Sequence, residues 1–545
     1  MTDLRGTFQS CTERARGEQG AALVMVLLAL MAMLILSLAA VEYGVGSETV
    51  SRRDQDWNAS LSAAEAGLDD FVFRLNENAN YFAYNAGNPP PDGNLAFSEY
   101  VTVAGGNTTA QYRYSTDTST LTTDGTIKIT STGKVGDTKR TVKATIRRRS
   151  FIDYLYFTDF ETLDPALYTG SPYTPAQAQV QCAKYYYAGR NSNCTDITFV
   201  SADAINGPLH SNDAIRICGS AHFNGDTSTS WSGSNGKRWR DGCPTSNPVF
   251  VNAGDPKYVS PLTMPPSNSA LRAETATGKG GCLYTGPTRI KFNSGGTMTV
   301  KSPFSKNTLN GCPTNGTGTL PTNGVVYVQN VPSSSSDPNY TSGCPYSVNG
   351  RAHPLGMPIS NENTTYGCRN GDAFIEGTLQ GQLTLTSENN IVITWHQQYQ
   401  GGVGGSDLLG LIANNNIEIW HPVQCSSGSS SSCNLNVNFP LETPRNAKLQ
   451  NPVIQAAVLS LAHSFRNQKW NIGAPLGTIN LTGAIAQKYR GPVGTTSGGT
   501  IITGYAKGYV YDQRLRYLSP PKFLEPIASA WSVAVWQEIK VPTGL

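Results

Sequence analysis

The longest unbroken apolar run lies near the start of the chain. Ala21 to Val41 is 21 residues without a charge, and Glu42 is the first acid to follow. As a helix this run spans about 31 Å, the thickness of a bilayer's hydrocarbon. A cleaved secretory signal has a shorter apolar core with a small-x-small site after it; here helical periodicity follows instead. In SETVSRRDQDWNASLSAAEAGLDDFVFRLNE, Trp57, Leu61, Ala64, Leu68, Phe71, Val72 and Leu75 recur at helical spacings, with no Pro and one internal Gly67. The pattern predicts one helix from about Ala21 to Leu75, lipid-buried at first and amphipathic later. A plain single-span anchor is the simpler alternative. Only lysine and arginine near the ends count for orientation, and Arg5, Arg14 and Arg16 against Arg52 and Arg53 favour an inside N-terminus slightly.

The period then changes. AGNPPPDGN at 86–94 breaks the helix, and AQYRYST, TIKITST and RTVKATIRR alternate with period two between polar turns. They predict a small antiparallel meander ending near Ser150, with Arg147, Arg148 and Arg149 as a charged sheet edge. In FIDYLYFTDFETLDP the acids Asp159, Glu161 and Asp164 read as a solvated loop at a domain junction; glycosidase or calcium chemistry is the other use of such a cluster.

Farther on, apolar-x-Gly-x-apolar recurs at Ile205–Leu209, Ile375–Leu379 and Leu481–Ile485, with a degenerate copy at Ile502. An Asn-led unit recurs at Asn212, Asn389 and Asn414; Ile391 and Ile417 are 26 apart, Gly483 and Gly504 are 21 apart. Such spacings suit coils of a β-solenoid with isoleucines inward and Asn at corners. The period is irregular, so a β-sandwich or twisted sheet stays open. Residues 225–372 read as loop.

Composition adds the compartment. Ten of eleven cysteines (Cys182, Cys194, Cys218, Cys243, Cys282, Cys312, Cys344, Cys368, Cys425 and Cys433) follow residue 180, with none of the close pairs of a zinc or thioredoxin-type site. They predict disulfides in an oxidising compartment, paired in sequence in the simplest reading. The net charge of +3, with 14% charged residues, gives no basic field, so no nucleic-acid partner is predicted.

The segment from Gly17 to Phe71 resembles the N-terminus of type IV pilin-like proteins, and among them the PilX-type minor pilins. A short leader ends in Gly, an apolar helix follows, and AAEAG (Ala63, Ala64, Glu65, Ala66, Gly67) sits in its amphipathic half. The resemblance implies cleavage between Gly20 and Ala21 by a prepilin peptidase; Gly17 is the alternative, leaving charged Glu18 beside the apolar run. It also implies assembly with other pilin subunits through the helix, on residues such as Met25, Trp57, Leu61 and the AAEAG segment. Major pilins carry a glutamate at the fifth mature position, where it can pair with a neighbour's N-terminal ammonium. Counting from Ala21, that position here is Met25. A lone buried carboxylate would be costly where no neighbour pairs with it, so Met25 fits a tip or initiating position, or a membrane-resident protein.

Candidate chemistry is sparse. The six histidines have no metal-type spacing, and no GxSxG, Walker or dinucleotide motif occurs. Asp213, Glu376 and Glu418 stand beside the repeat strands and are the candidates if the solenoid were a polysaccharide lyase or hydrolase; the expectation is a protein that is not an enzyme and needs no cofactor or metal. Tyr185, Tyr186 and Tyr187 could stack on a sugar or on another protein. The expected fold class is α+β: leader 1–20, an N-terminal transmembrane or assembly helix at 21–77, a small antiparallel β module at 78–150, and a large β-rich, disulfide-stapled, β-solenoid-like domain at 151–545. The expected function is a minor pilin-like subunit with a large adhesive or capping head, held in the inner membrane before assembly and then displayed on a fibre or the cell surface. Its partners would be pilin subunits, the peptidase, the membrane, and a surface glycan or a host or partner protein. The rival is a membrane-anchored surface protein that binds or degrades polysaccharide.

Overall fold

The computed structural model describes the chain apart from residues 1–9, 79, 106–108, 122–125, 253, 255, 307–308, 346–352, 356–365, 422, 426–432, 436–448, 498–499, 527–530 and 543–545, with backbone alone at 10–21, 49, 423–425, 433–435 and 500. The chain divides into two compact units: Met1–Arg147 with Val533–Leu545, and Arg148–Ser532.

In the first unit the helical pattern forms one helix, α1 (Ser10–Glu77). It begins upstream of Ala21, so half of the expected leader is helical backbone, and residues 1–9 of that leader lie outside the described residues. From Ala22 to Gln55 every described side chain on α1 is exposed, whereas from Ser60 onward one stripe is buried. That stripe packs on an antiparallel sheet of β1 (Val101–Thr102), β2 (Ala110–Asp117), β3 (Ile127–Val135) and β4 (Thr138–Arg148). Alternate residues Tyr112, Tyr114, Ile127, Ile129, Val142, Ala144 and Ile146 are buried, the period-two signal of a half-covered sheet.

The sheet has a fifth member that the sequence pattern did not announce. The strand Trp531–Ile539 lies beside β4, and Arg140 forks onto Glu538 with two 2.6 Å bonds. The expected boundary of a head running from 151 to 545 is therefore corrected: the chain leaves this unit after β4, folds the second unit, and returns to complete the sheet.

The second unit is dominated by parallel strands. One ladder runs Lys257–Tyr258, Thr227–Thr229, Leu209–Ser211, Tyr156–Phe160, Pro475–Tyr489, Val453–Ser460, Leu408–Ala413, Gln382–Ser387, Val325–Gln329 and Cys282–Thr285, every neighbour parallel. A second joins Thr288–Asn293, Ala373–Leu379, Ile391–Tyr399, Ile417–Ile419 and Phe465–Asn467. Ile391 and Ile417, 26 residues apart, are direct register partners. Their inward-facing isoleucines, with Ile375, Ile393 and Ile419, join one large buried cluster. Gly483 and Gly504 are not partners: Gly483 pairs with Ala456 and Tyr511, and Gly504 with Pro475. The recurring glycine has a steric reason, because a Cβ at Gly377 or Gly483 would strike the carbonyl of Phe292 or Ala456 on the neighbouring strand.

Spatial order does not follow sequence order. The unit's first strand, Tyr156–Phe160, stands in the middle of the ladder beside Pro475–Tyr489, with earlier-sequence strands stacked to one side and later ones to the other. An insertion must leave and re-enter its host nearby, and a central start and finish meets that need. Residues 225–372, expected as loop, instead supply ladder strands and a strap. The strap, residues 259–281, connects Lys257–Tyr258 at one end of the ladder to Cys282–Thr285 at the other. It buries Leu262, Met264 and Leu271, and Asn268 donates to Ser387 O at 2.7 Å while its own N–H donates to Asn414 Oδ1 at 2.8 Å. Alternation was invisible there because the strands are two to six residues long.

Among the described residues four disulfides staple this unit: Cys182–Cys194, Cys218–Cys243, Cys282–Cys312 and Cys344–Cys368. Cys425 stands opposite Cys433 in a two-stranded antiparallel ribbon, and the side chains of both lie outside the described residues.

Candidate assembly helix and head surface

The AAEAG segment seats the helix on its own sheet. Ala63 and Ala64 are buried, Gly67 is buried beneath Tyr112, and Leu61, Glu65 and Ala66 are half-covered. Helix and β3 approach so closely that a Cβ at Gly133 would overlap the Ser60 carbonyl oxygen and Ala64 N, and one at Gly67 would lie 2.8 Å from the Tyr112 ring. Below it, Tyr114 donates to Asp70 at 3.1 Å, Asn94 bridges Asp70, Tyr81 and Tyr114, and Arg74 grips Asp70 and Asp92. Ala63, Ala64 and Gly67, expected to serve helix assembly, are thus covered by the unit's own sheet. Met25 (71% exposed) and Trp57 (52%) remain outside, the latter under the Arg140 guanidinium at 4.7 Å. Gly20 and Ala21 fall in the helical backbone, with side chains outside the described residues.

The acids Asp159, Glu161 and Asp164, expected to be solvated, are buried, and each meets a basic side chain more than 290 residues away in sequence. Lys488 reaches Asp159 at 2.5 Å, Arg490 reaches Glu161 at 3.2 Å, and His463 Nδ1 lies 2.8 Å from Asp164. Arg490 also lies 3.9 Å from Asp203, which Lys507 reaches at 3.0 Å. These pairs bind the unit's first strand and the residues after it to its late strands, closing the seam in the middle of the ladder. Burial raises the Glu161 pKa and Arg490 opposes the rise; at Asp203 burial is overcome by Lys507 and Arg490, so its carboxyl sits below its usual range.

Asn389, Asn390, Asn415 and Asn416 form a hydrogen-bonded row beside the second ladder. Asn390 donates to Asp372 Oδ1 at 3.0 Å and its own Oδ1 accepts from Asn416 N at 3.0 Å; Asn415 donates to Asn389, which donates to Asp372. With Asp164, His463, Arg466 and Asn370, these amides line a polar cleft of about 200 Å³. Asp372 heads the row, its Oδ2 buried without a hydrogen bond. Burial, with Glu418 adding to it, pushes its pKa up to about 7 against the hydrogen bonds from Asn389 and Asn390. A carboxyl raised in the folded state lends its stability below the unfolded pKa near 4 and loses it as pH rises through 7. Asp372→Asn should therefore leave denaturant stability at pH 4 unchanged and raise it at pH 8, by at most about 4 kcal/mol. A variant less stable than the parent at pH 8 would contradict this account.

The three acids considered for catalysis are each buried against an arginine: Asp213 against Arg190, Glu376 against Arg289 at 2.9 Å, and Glu418 against Arg466 at 2.6 Å. The histidines are dispersed as well. His210 is buried between Ser228 and Asn212, with its pKa held down to about 4 by burial, and His421 Nδ1 lies 3.0 Å from Gln468 O. Among the described residues no three His, Cys, Asp or Glu converge as metal ligands. Of the arginine triplet, Arg148 stacks 5.2 Å over Trp531. The tyrosine triplet is divided: Tyr185 stacks inward on Phe160 at 4.9 Å, and Tyr186 and Tyr187 reach the surface. The pairing of acids and bases across the seam, like the return of the last strand, left no signal at any fixed sequence spacing.

No protein-family model matches the chain, and no curated protein matches it. Among solved structures it is similar to the competence-associated pilin ComZ from Thermus thermophilus, at 14% identity and a TM-score of 0.26, over 89% of this chain and 97% of that one. At that score the likeness carries no weight for fold or function.

Proposed function

We propose that this chain is a minor pilin-like subunit of a type IV pilus or related fibre, assembled through α1 and displaying the second unit as an adhesive or capping head. The observation that carries the reading is the bare half of α1. From Leu23 to Val45, large apolar side chains are more than half exposed on every face of the helix. Apolar surface left in water costs about 25 cal/mol per Å², so this segment requires lipid before assembly and packed helices after it. The PilX-type leader pattern and Met25 at the fifth mature position support a place at the end of the fibre, and a bulky inserted unit is hard to repeat along a packed shaft. We read the stacked parallel strands as coils of a β-solenoid, on the strength of the 26-residue repeat and the asparagine row. The head binds rather than reacts, since its candidate acids are spent on buried arginines.

The mature N-terminus tests this. In cells with an active prepilin peptidase, N-terminal sequencing of the purified protein should begin at Ala21, and immunogold should mark fibre ends. An uncleaved chain retained in the membrane would sink the pilin reading and favour the anchored surface protein.

A further inference from the structure

We propose that the outer edge of the closing strand Trp531–Ile539 docks a second pilin-like subunit, different from this chain, which adds a strand of its own and extends the first unit's sheet across the subunit boundary. Arg140 meets Glu538 and Arg148 meets Trp531, so the closing strand runs antiparallel to β4 and is the last in its sheet. Alternate residues of such a strand direct their N–H and C=O groups away from the sheet, and among the described residues no strand meets them there. Sheet edges are normally blunted by shortness, by lysine or proline, or by a bulge. The other edge follows that rule, since β1 is two residues long. The closing strand does not: WSVAVWQEI runs nine residues with no Pro or Lys, and its one charge, Glu538, is already held by Arg140. Val535 and Trp536, on opposite faces of the strand, are 46% and 49% exposed.

The edge adjoins the part of α1 proposed to meet other subunits. The Arg140 guanidinium that holds Glu538 lies over Trp57 and donates to the Trp57 carbonyl at 3.3 Å. Trp57 is exposed and stands between the bare length of α1, residues 22–55, and the stripe buried from Ser60 onward. Trp536 lies two residues from Glu538, on the same face of the strand. A subunit whose helix packs on the bare half of α1 therefore brings its globular part level with Trp57, Trp536 and the edge. Exposed tryptophans beside a row of unpaired peptide groups suit strand addition, in which main-chain hydrogen bonds supply affinity and side chains on alternate faces select the partner.

Direction argues against a second copy. A closed dimer joined edge to edge through this strand has a two-fold axis. That axis sets the two strands antiparallel and turns the partner's α1 the opposite way, so the two bare helices cannot lie side by side in one bilayer or one fibre. A copy displaced along a fibre without reversal presents its opposite edge, and that edge is the two residues of β1. The occupant is thus a different pilin-like chain whose own facing edge is long, about five residues or more. The docking strand is supplied only after the chain has passed through the second unit, Arg148–Ser532, so a chain that has not completed that unit offers no such edge.

The inference rests on the proposed assembly through α1, and the test reads the two separately. In cells with an active prepilin peptidase and assembled fibres, the full chain carrying p-benzoylphenylalanine in place of the exposed Gln537 is irradiated, and the adduct and the chain's own N-terminus are identified by mass spectrometry. The expected adduct joins this chain to one other chain, itself processed to a pilin-type apolar N-terminal helix. Val535→Lys, which places a cation on the edge as natural sheets do, should lower the adduct yield about tenfold, whereas Val535→Thr, equally at home in a strand, should retain it. Val535 is exposed, so both variants should melt with the parent. The proposal is overturned by the absence of an adduct, by an adduct with a second copy of this chain or with a protein lacking such a helix, or by Val535→Lys yielding as much adduct as the parent. Processing at Ala21 and entry into fibres without the adduct overturn the docking edge alone; an adduct formed by a chain that keeps its leader overturns the processing reading alone.

Discussion

Arg490→Met should be among the most damaging single substitutions in the second unit. Arg490 is 1% exposed; its guanidinium lies 3.5 Å over the Phe199 ring, donates to Glu161 at 3.2 Å and to the Ile197 carbonyl at 3.1 Å, and approaches Asp203. Methionine fills much of the space but leaves Glu161 charged, buried and without its partner. Breaking such a pair from one side costs about 3–5 kcal/mol, whereas removing both charges is often close to neutral. The denaturant midpoint of the full chain should fall accordingly, and adding Glu161→Gln should recover most of the loss.

The pH dependence of that variant gives a second check. Without Arg490 the Glu161 pKa, already raised by burial, rises further. A carboxyl with a raised folded pKa binds its proton more tightly folded than unfolded, so the deficit is full above the folded pKa and shrinks as pH falls toward the unfolded value near 4.3. The variant should be nearer the parent at pH 5 than at pH 8. A deficit under 1 kcal/mol, or one that ignores pH, would mean that the seam is held by apolar packing alone.

The seam also marks where sequence reasoning stops. Features of a single segment were legible: α1 from the spacing of Trp57, Leu61, Ala64 and Leu68, the meander from alternation, and the stacking of Ile391 on Ile417 from a 26-residue repeat. Each is governed by a period that local geometry imposes. The partners of Asp159, Glu161 and Asp164 lie beyond residue 460, and nothing in FTDFETLD distinguishes an acid awaiting a distant basic partner from one in water. Trp531–Ile539 likewise resembles any short strand; its membership of the first sheet follows from where the chain must return. AAEAG was legible as a motif, but its packing on β3 was not, because small residues on a helix mark close approach without saying to what. The tyrosine loop was legible in composition, but only the bonds to Asp159, Asp213 and Asn212 separate the ring that packs inward from the two displayed.

That close approach carries the other large expectation. Gly133→Leu should lift the amphipathic half of α1 from its sheet. Gly133 lies inside β3, opposite Tyr112 on one side and Arg140 on the other, so it cannot retreat without breaking two ladders. The atoms it would strike, the Ser60 carbonyl oxygen and Ala64 N, belong to helix backbone and cannot rotate away as a side chain would. Overpacking of this kind costs about 1–3 kcal/mol, and a displaced helix also uncovers Ala63, Ala64, Leu68, Phe71 and Leu75, all buried in the parent. Amide exchange in Ile127–Val135 should accelerate about 10- to 100-fold. Gly44→Ala is the control, because a Cβ there meets nothing within 4 Å and Ala favours helix. If the helix holds its sheet only for stability, both variants should still enter fibres once folded. If its seating aims the bare half of α1 at its neighbours, Gly133→Leu should be processed at Ala21 yet fail to assemble, while Gly44→Ala assembles normally. Unchanged exchange in Gly133→Leu would show that helix and sheet are not in the contact described.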